Sequence, residues 1–169
     1  MRVLILALAA LVLSGCATAQ RYDAAADVHA LLVSIRDNDK AAFEAHVDRP
    51  ALKRQIEGRM MAEARKSGAN DGLAALGALI APTLADLAGE ALIQPNVFRS
   101  VAAYYGYDAA QPLPGPMVIG GQLIAVGEGQ VCVPRKKDGP CLLNFTEQQG
   151  TWRLSGFEGD LSMLRTKAR

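Results

Sequence analysis

Residues 111–116 read Gln-Pro-Leu-Pro-Gly-Pro, and no helix passes through prolines at that density, because each lacks an amide hydrogen and clashes with the carbonyl four positions back. The chain is divided there. Before this point apolar residues recur with the period of a helix, and after it with the period of a strand. The expected fold is therefore α+β, a helical N-terminal half packed on a C-terminal antiparallel meander of three to four strands.

Within the helical half, Val28, Leu31, Leu32 and Ile35 fall at i, i+3, i+4 and i+7 on a helix over residues 23–36. Asp37-Asn38-Asp39 breaks it, and Asp39 is placed to cap a short helix, residues 40–47, that turns Phe43 and Val47 inward. Asp48-Arg49-Pro50 opens a third helix, since proline is tolerated in a first turn and the aspartate accepts its free amide hydrogens. Leu52, Ile56 and Met60 mark its buried stripe, and Ser67-Gly68 its end. Residues 73–93 are almost wholly apolar, but Asp86 and Glu90 stand four apart on one face and Pro82 divides the run. A kinked or paired core helix is expected there rather than a membrane span. Residues 96–105 form a last helix that buries Val97, Phe98 and Val101.

Strands are expected over residues 117–126, 130–134, 141–147 and 151–157, with Gly120-Gly121 marking a bend or bulge. A two-residue turn at Gln149-Gly150 sets Phe145 opposite Leu154 and Glu147 opposite Trp152, so Leu143, Phe145, Trp152 and Leu154 share the core face.

The N-terminus carries a different signal. Arg2 precedes an uninterrupted apolar run over residues 3–13, which is too short to span a bilayer and has the flanks of a secretory segment. Leu13-Ser14-Gly15-Cys16 then matches the lipobox of bacterial lipoproteins. That resemblance implies cleavage before Cys16 and a diacylglycerol on its sulfur. The competing reading is a general signal peptidase cutting after Ala17-Thr18-Ala19. By resemblance to Gram-negative lipoproteins, Ala17 rather than Asp after the cysteine implies an outer-membrane address facing the periplasm. The chain then divides into a signal peptide (1–15), a lipidated tether (16–22), one α+β domain (23–157) and a basic tail (158–169). With Cys16 lipidated, Cys132 and Cys141 remain as an even pair for an oxidising space, flanking a turn as a cross-strand disulfide would. A metal pair or a redox dithiol would use the same residues, but no C-x-x-C is present and no His lies nearby in sequence.

The motifs Asn38-Asp39-Lys40-Ala41-Ala42-Phe43 and Val47-Asp48-Arg49-Pro50-Ala51-Leu52-Lys53, the Ala/Leu run with Pro82 and the closing Trp152-Arg153-Leu154 resemble a bacterial domain-of-unknown-function family. Its members are exported or lipidated proteins with a VDFPALR-type motif. The resemblance covers residues 23–157, with Arg49 where the family has Phe and Lys53 where it has Arg, and it implies no catalytic residues. The layout of helices before a curved sheet is similar to that of nuclear transport factor 2 relatives.

Catalytic constellations are thin. The chain has two histidines, His29 and His46, and in a conceivable site of His46, Glu44 and Asp48, Glu44 and His46 are two apart on a helix and point to different sides. Asp48 and Pro50 read as helix-start chemistry. Tyr104, Tyr105 and Tyr107 precede the proline-rich connection, where rings pack and hydroxyls reach water. Tyr104 and Tyr105, with Trp152, are the candidate lining of an aromatic pocket between helices and sheet. A formal net charge of +1, spread along the chain, offers no footprint for nucleic acid. Arg135-Lys136-Lys137 and Arg165, Lys167 and Arg169 read as turn and tail charges that anionic lipid could attract. The expectation is a non-enzymatic, cofactor-free and metal-free module, anchored at the membrane through Cys16, that binds an envelope protein, peptidoglycan or lipid. The alternative is a carrier or sensor of a small apolar ligand.

Overall fold

Asn38 has φ 57° and the amide of Asp39 donates to the carbonyl of Ser34 at 2.9 Å, the left-handed stop that ends a helix where a short polar side chain tolerates positive φ. It terminates the first element of the computed structural model, which describes residues 2–66, 83, 86–87, 89–104, 106–136 and 139–158. The elements are α1 (Arg2–Asp37), α2 (Lys40–Ala45), α3 (Arg49–Lys66), α4 (Pro95–Tyr104), α5 (Pro116–Gln122), β1 (Ile124–Gly127), β2 (Gln130–Pro134), β3 (Cys141–Gln148) and β4 (Thr151–Phe157). The architecture is a helical N-terminal half followed by a four-stranded antiparallel meander in the order β1-β2-β3-β4, as expected for an α+β chain.

Local chemistry accounts for most boundaries. Asp39 Oδ1 accepts the amide of Ala42 at 3.1 Å and caps α2, and Asp48 Oδ1 accepts the amide of Ala51 at 2.9 Å and caps α3. Gln149 and Gly150 both have positive φ, 55° and 80°, the primed turn whose twist matches a hairpin. It sets Phe145 opposite Leu154 and Glu147 opposite Trp152. Val131, Phe145 and Leu154 form one cross-strand row on the core face. Against it pack Phe43 and Val47, Leu52 and Ile56 of α3, and Val28 and Leu31 of α1, all buried in one cluster. Phe43 and Phe98 meet edge to face with centroids 5.3 Å apart.

The outer edge of β4 is covered by helical segments. The amide of Leu154 donates to the carbonyl of His46, and the amide of Asp48 to the carbonyl of Leu154, both at 2.9 Å. Gln55 then grips Phe157 from both sides, accepting from its amide at 3.0 Å and donating to its carbonyl at 2.7 Å. These bonds pair the amides and carbonyls that an edge strand otherwise exposes. On the far side of α3, Lys53 Nζ lies 3.1 Å from both Asp86 and Glu90. Their carboxylates hold its ammonium above the ordinary lysine range, and Lys53 in turn holds the Glu90 carboxyl below its own. Both acids are exposed, so the pairs fix geometry more than stability.

Two boundaries differ from expectation. Residues 117–126 are not one strand, because α5 occupies Pro116–Gln122 and β1 begins only at Ile124. Pro116 sits in the first turn after the Gly115 cap. Gly120 lets the helix approach α1 so closely that a Cβ there would lie 2.5 Å from Cδ1 of Tyr22. Arg21 Nη2 also donates to the carbonyl of Gly120 at 2.9 Å. The second difference concerns the start of α1, which continues through residues 16–22 rather than beginning at residue 23. Gln20 and Arg21 bond to the β1–β2 turn and to α5, so this stretch of the helix contacts the domain.

His29 Nδ1 meets the carbonyl of Pro114 at 3.0 Å, which pins the proline-rich connection to α1 and gives this histidine a structural role. Glu158 donates its amide to the carbonyl of Leu142 at 2.8 Å, carrying the folded unit one residue past β4. The expected stop at Ser67-Gly68, the Pro82 kink, Lys137 and the tail residues Arg165, Lys167 and Arg169 lie outside the described residues. Among the described residues, no helix is long and apolar enough to cross a membrane.

Cys132 and Cys141 are joined, with an S–S distance of 2.06 Å and a sequence separation of 9. The bridge closes the β2–β3 loop. Reducing it, or replacing both cysteines with serine, should lower unfolding free energy by about 2 to 3 kcal/mol, the loop-closure entropy returned to the unfolded chain. Urea unfolding with and without reductant checks this, and a midpoint insensitive to reductant contradicts it.

Candidate functional site

Gln20, Asp23 and Asp27 recur at i, i+3 and i+7, so they occupy one face of α1. That face lies across the end of the sheet where both hairpin turns emerge. Gln20 Nε2 donates to the carbonyls of Gly127 at 2.7 Å and Gln130 at 2.9 Å, closing the β1–β2 turn. One turn along, Asp23 Oδ2 accepts the indole N–H of Trp152 at 2.8 Å. Asp27 Oδ2 accepts the backbone amide of the same residue, also at 2.8 Å. A single tryptophan is thereby held by two carboxylates one helical turn apart. Asp27 Oδ1 lies 3.5 Å from Nδ1 of His46, whose side chain is 16% exposed. That nitrogen is buried and makes no hydrogen bond, so the contact is electrostatic proximity without hydrogen-bond geometry.

A shallow cleft of about 590 Å³ opens at this end, lined by Ala19, Gln20, Asp23, Gly129, Glu147, Gly150 and Trp152. Its two ionisable lining groups, Asp23 and Glu147, are both acidic. Each already serves the fold: Asp23 through the indole, and Glu147 by accepting the amide of Gly150 at 2.6 Å. The cleft offers a polar rim and an aromatic wall, with no Ser, Thr, Cys, His or Lys among its lining residues. Among the described residues, no cluster of three or more His, Cys, Asp or Glu is disposed to hold a metal ion.

The residues singled out from sequence are distributed as follows. Cys16 lies on α1, one helical turn before Gln20. Cys132 and Cys141 form their disulfide at the opposite end of the sheet, so the neighbouring Arg135 and Lys136 stand away from Cys16. Trp152 lines the cleft, with α1 facing it. Tyr104 ends α4 but its side chain, and the whole of Tyr105, lie outside the described residues. Tyr107 departs from expectation, because its hydroxyl is buried without a hydrogen-bond partner rather than reaching water. Glu44, His46 and Asp48 form no common site: Glu44 pairs with Arg49 at 3.2 Å, His46 faces Asp27, and Asp48 caps α3 while accepting from Gln148 at 2.6 Å.

Asp23 and Asp27 were missed by the sequence reading, which followed only the apolar stripe of this helix. The visible signal was their spacing with Gln20, which puts three polar side chains on one face of the helix. Replacing Asp27 with alanine strands the partly buried amide of Trp152 and should cost about 1 to 3 kcal/mol. Asp27→Asn retains an acceptor and should cost less than half of that. Equal losses for the two variants in chemical denaturation would show that the charge, and not the acceptor, matters.

Comparison with known proteins gives one match. A family model described as "Protein of unknown function (DUF2939)" matches residues 4–101, more than half of the chain. The matched region runs through α1, α2 and α3 and into α4, stopping before the sheet. No curated protein and no solved structure matches this chain.

Proposed function

The chain belongs to that family of proteins of unknown function, and from this premise we propose that it is an exported, lipid-anchored module without catalytic activity, cut before Cys16 and held at a membrane by acyl chains on that cysteine. The observation that carries the reading is Leu13-Ser14-Gly15-Cys16 directly after an apolar run over residues 3–13. Two structural facts support it. Among the residues whose burial is described, which begin at Ala17, the buried core runs from Ala24 onward, on the C-terminal side of the Gly15–Cys16 bond. The Cys132–Cys141 disulfide suits an oxidising compartment.

The anchored module presents its α1–Trp152 end beside the membrane and its disulfide loop away from it, where an envelope partner would be met. The carboxylates around Trp152 are engaged in fixing α1 to β4, which supports a scaffold more than a reaction centre. Detergent phase partitioning of the protein expressed in a bacterial host tests the anchor. The lipidated form enters the detergent phase and stays membrane-bound through high-salt and alkaline washes. Recovery in the aqueous phase, or release by salt alone, contradicts the reading.

A further inference from the structure

Single exposed apolar side chains are ordinary on a folded chain, but a group of them gathered on neighbouring elements marks a surface that something can cover. Here most of them gather on two adjoining elements. Met117 and Val118, on the first turn of α5, are 77% and 54% exposed, and Val126 on β1 is 50% exposed, with Ile124 and Tyr22 also exposed. Leu87 is the only other large hydrophobic so exposed among the described residues.

These two elements are joined to the start of α1 by specific bonds. Arg21 holds the carbonyls of Gly120 and Gly121 through Nη2, at 2.9 and 3.3 Å, and Gln20 holds that of Gly127. At a rise of about 1.5 Å per residue, Gln20 and Arg21 lie only about 6 to 8 Å along the helix from Cys16. The intervening residues are helical, with no glycine or proline to act as a hinge. Acyl chains on Cys16 would therefore bring α5 and β1 to the lipid headgroups in a fixed orientation.

We infer that the flank formed by α5 and β1 docks on the lipid surface itself, with Met117, Val118 and Val126 entering the boundary between headgroups and acyl chains. This inference rests on the anchor reading above. The occupant is the bilayer because this flank is bonded through Gln20 and Arg21 to the helix that carries the lipidated position, with the end of β1 nearest to it and the first turn of α5 further along α1 towards His29. Of the charged groups nearby, Arg135 and Lys136 stand at the opposite end of the sheet, Asp23 and Glu147 line the cleft, and the exposed Glu128 in the β1–β2 turn bounds the flank beside Val126.

The test uses the full lipidated protein reconstituted in vesicles of phosphatidylethanolamine and phosphatidylglycerol. Met117→Cys, Val126→Cys and, as a distant control, Ser100→Cys on α4 each carry a bimane label. The native cysteines do not compete, one being lipidated and two being disulfide-bonded. Flotation first establishes that the protein is anchored, and nitroxide-bearing lipid then reports contact with the bilayer. Labels at 117 and 126 are expected to be quenched at least about twofold more than the label at 100, as insertion of an apolar flank requires. In a Met117→Asp, Val118→Asp background, flotation should persist while quenching at 126 falls to the control level. Protein that floats with equal quenching at all three positions overturns the docking inference alone. Protein that fails to float overturns the anchor reading and the inference with it.

Discussion

Phe43→Ala is expected to lower unfolding free energy by about 3 to 5 kcal/mol, enough to leave a marginally stable domain partly unfolded at 37 °C. Phe43 is 0% exposed and is the central side chain of the short helix α2. Its ring packs edge to face on Phe98, so truncation removes both its transfer free energy and an aromatic contact of about 1 kcal/mol. The site cannot collapse easily, because α2 is pinned at one end by the Asp39 cap and at the other by the bonds of His46 and Asp48 to Leu154. Phe43→Leu keeps most of the volume and should cost under about 1.5 kcal/mol. The two midpoints in urea, measured on the same preparation, check this. A Phe43→Ala loss below about 1 kcal/mol would mean that α2 does not close the core.

Cys16→Ser should abolish membrane attachment while leaving the folded domain as stable as before. Each buried methylene contributes about 0.8 kcal/mol, so a pair of long acyl chains holds the protein by well over ~10 kcal/mol, and no polar replacement recovers any of it. Incorporation of an alkyne-bearing fatty acid should fall to background in Cys16→Ser and remain unchanged in Cys132→Ser/Cys141→Ser. Thermal unfolding of Cys16→Ser should match the parent chain, since the core residues among those whose burial is described run from Ala24 onward. Label retained in the serine variant would place the lipid elsewhere and remove the basis of the anchor.

The parts of the fold written in local chemistry were legible. The Asp39 cap, the Leu52, Ile56 and Met60 stripe, the strands of the closing hairpin and the register set by Gln149-Gly150 each depend on residues a few positions apart. The pairing of Cys132 with Cys141 followed from their even count and a short turn between them. What stayed hidden depends on partners far away in sequence. The α5 segment has two glycines in seven residues and little helical propensity of its own. It is helical because Tyr22 and Arg21, about a hundred residues earlier, pack against Gly120 and bond its carbonyl. The carboxylates of Asp23 and Asp27 likewise find their purpose only at Trp152. The bridge of Val47 to Leu154 belongs to the same class, joining a helix connection to a strand more than a hundred positions on.

These hidden contacts all lie along α1 or at the edge of β4, and their common effect is to join the helix that carries Cys16 directly to the sheet. If the chain is anchored through Cys16 as proposed, this arrangement would set the acidic cleft beside the membrane and the disulfide loop away from it. The family match over residues 4–101 includes the whole of this helix beyond its first residues, so the same arrangement at its start is open to test in other members.

Intact mass of the membrane-extracted protein, with and without reduction and thiol alkylation, decides whether the chain is anchored through Cys16. The expected result is a chain beginning at Cys16 and carrying a diacylglyceryl group, with two further thiols that react only after reduction. A lipid-free chain beginning at Gln20, or one that retains Met1, would contradict it.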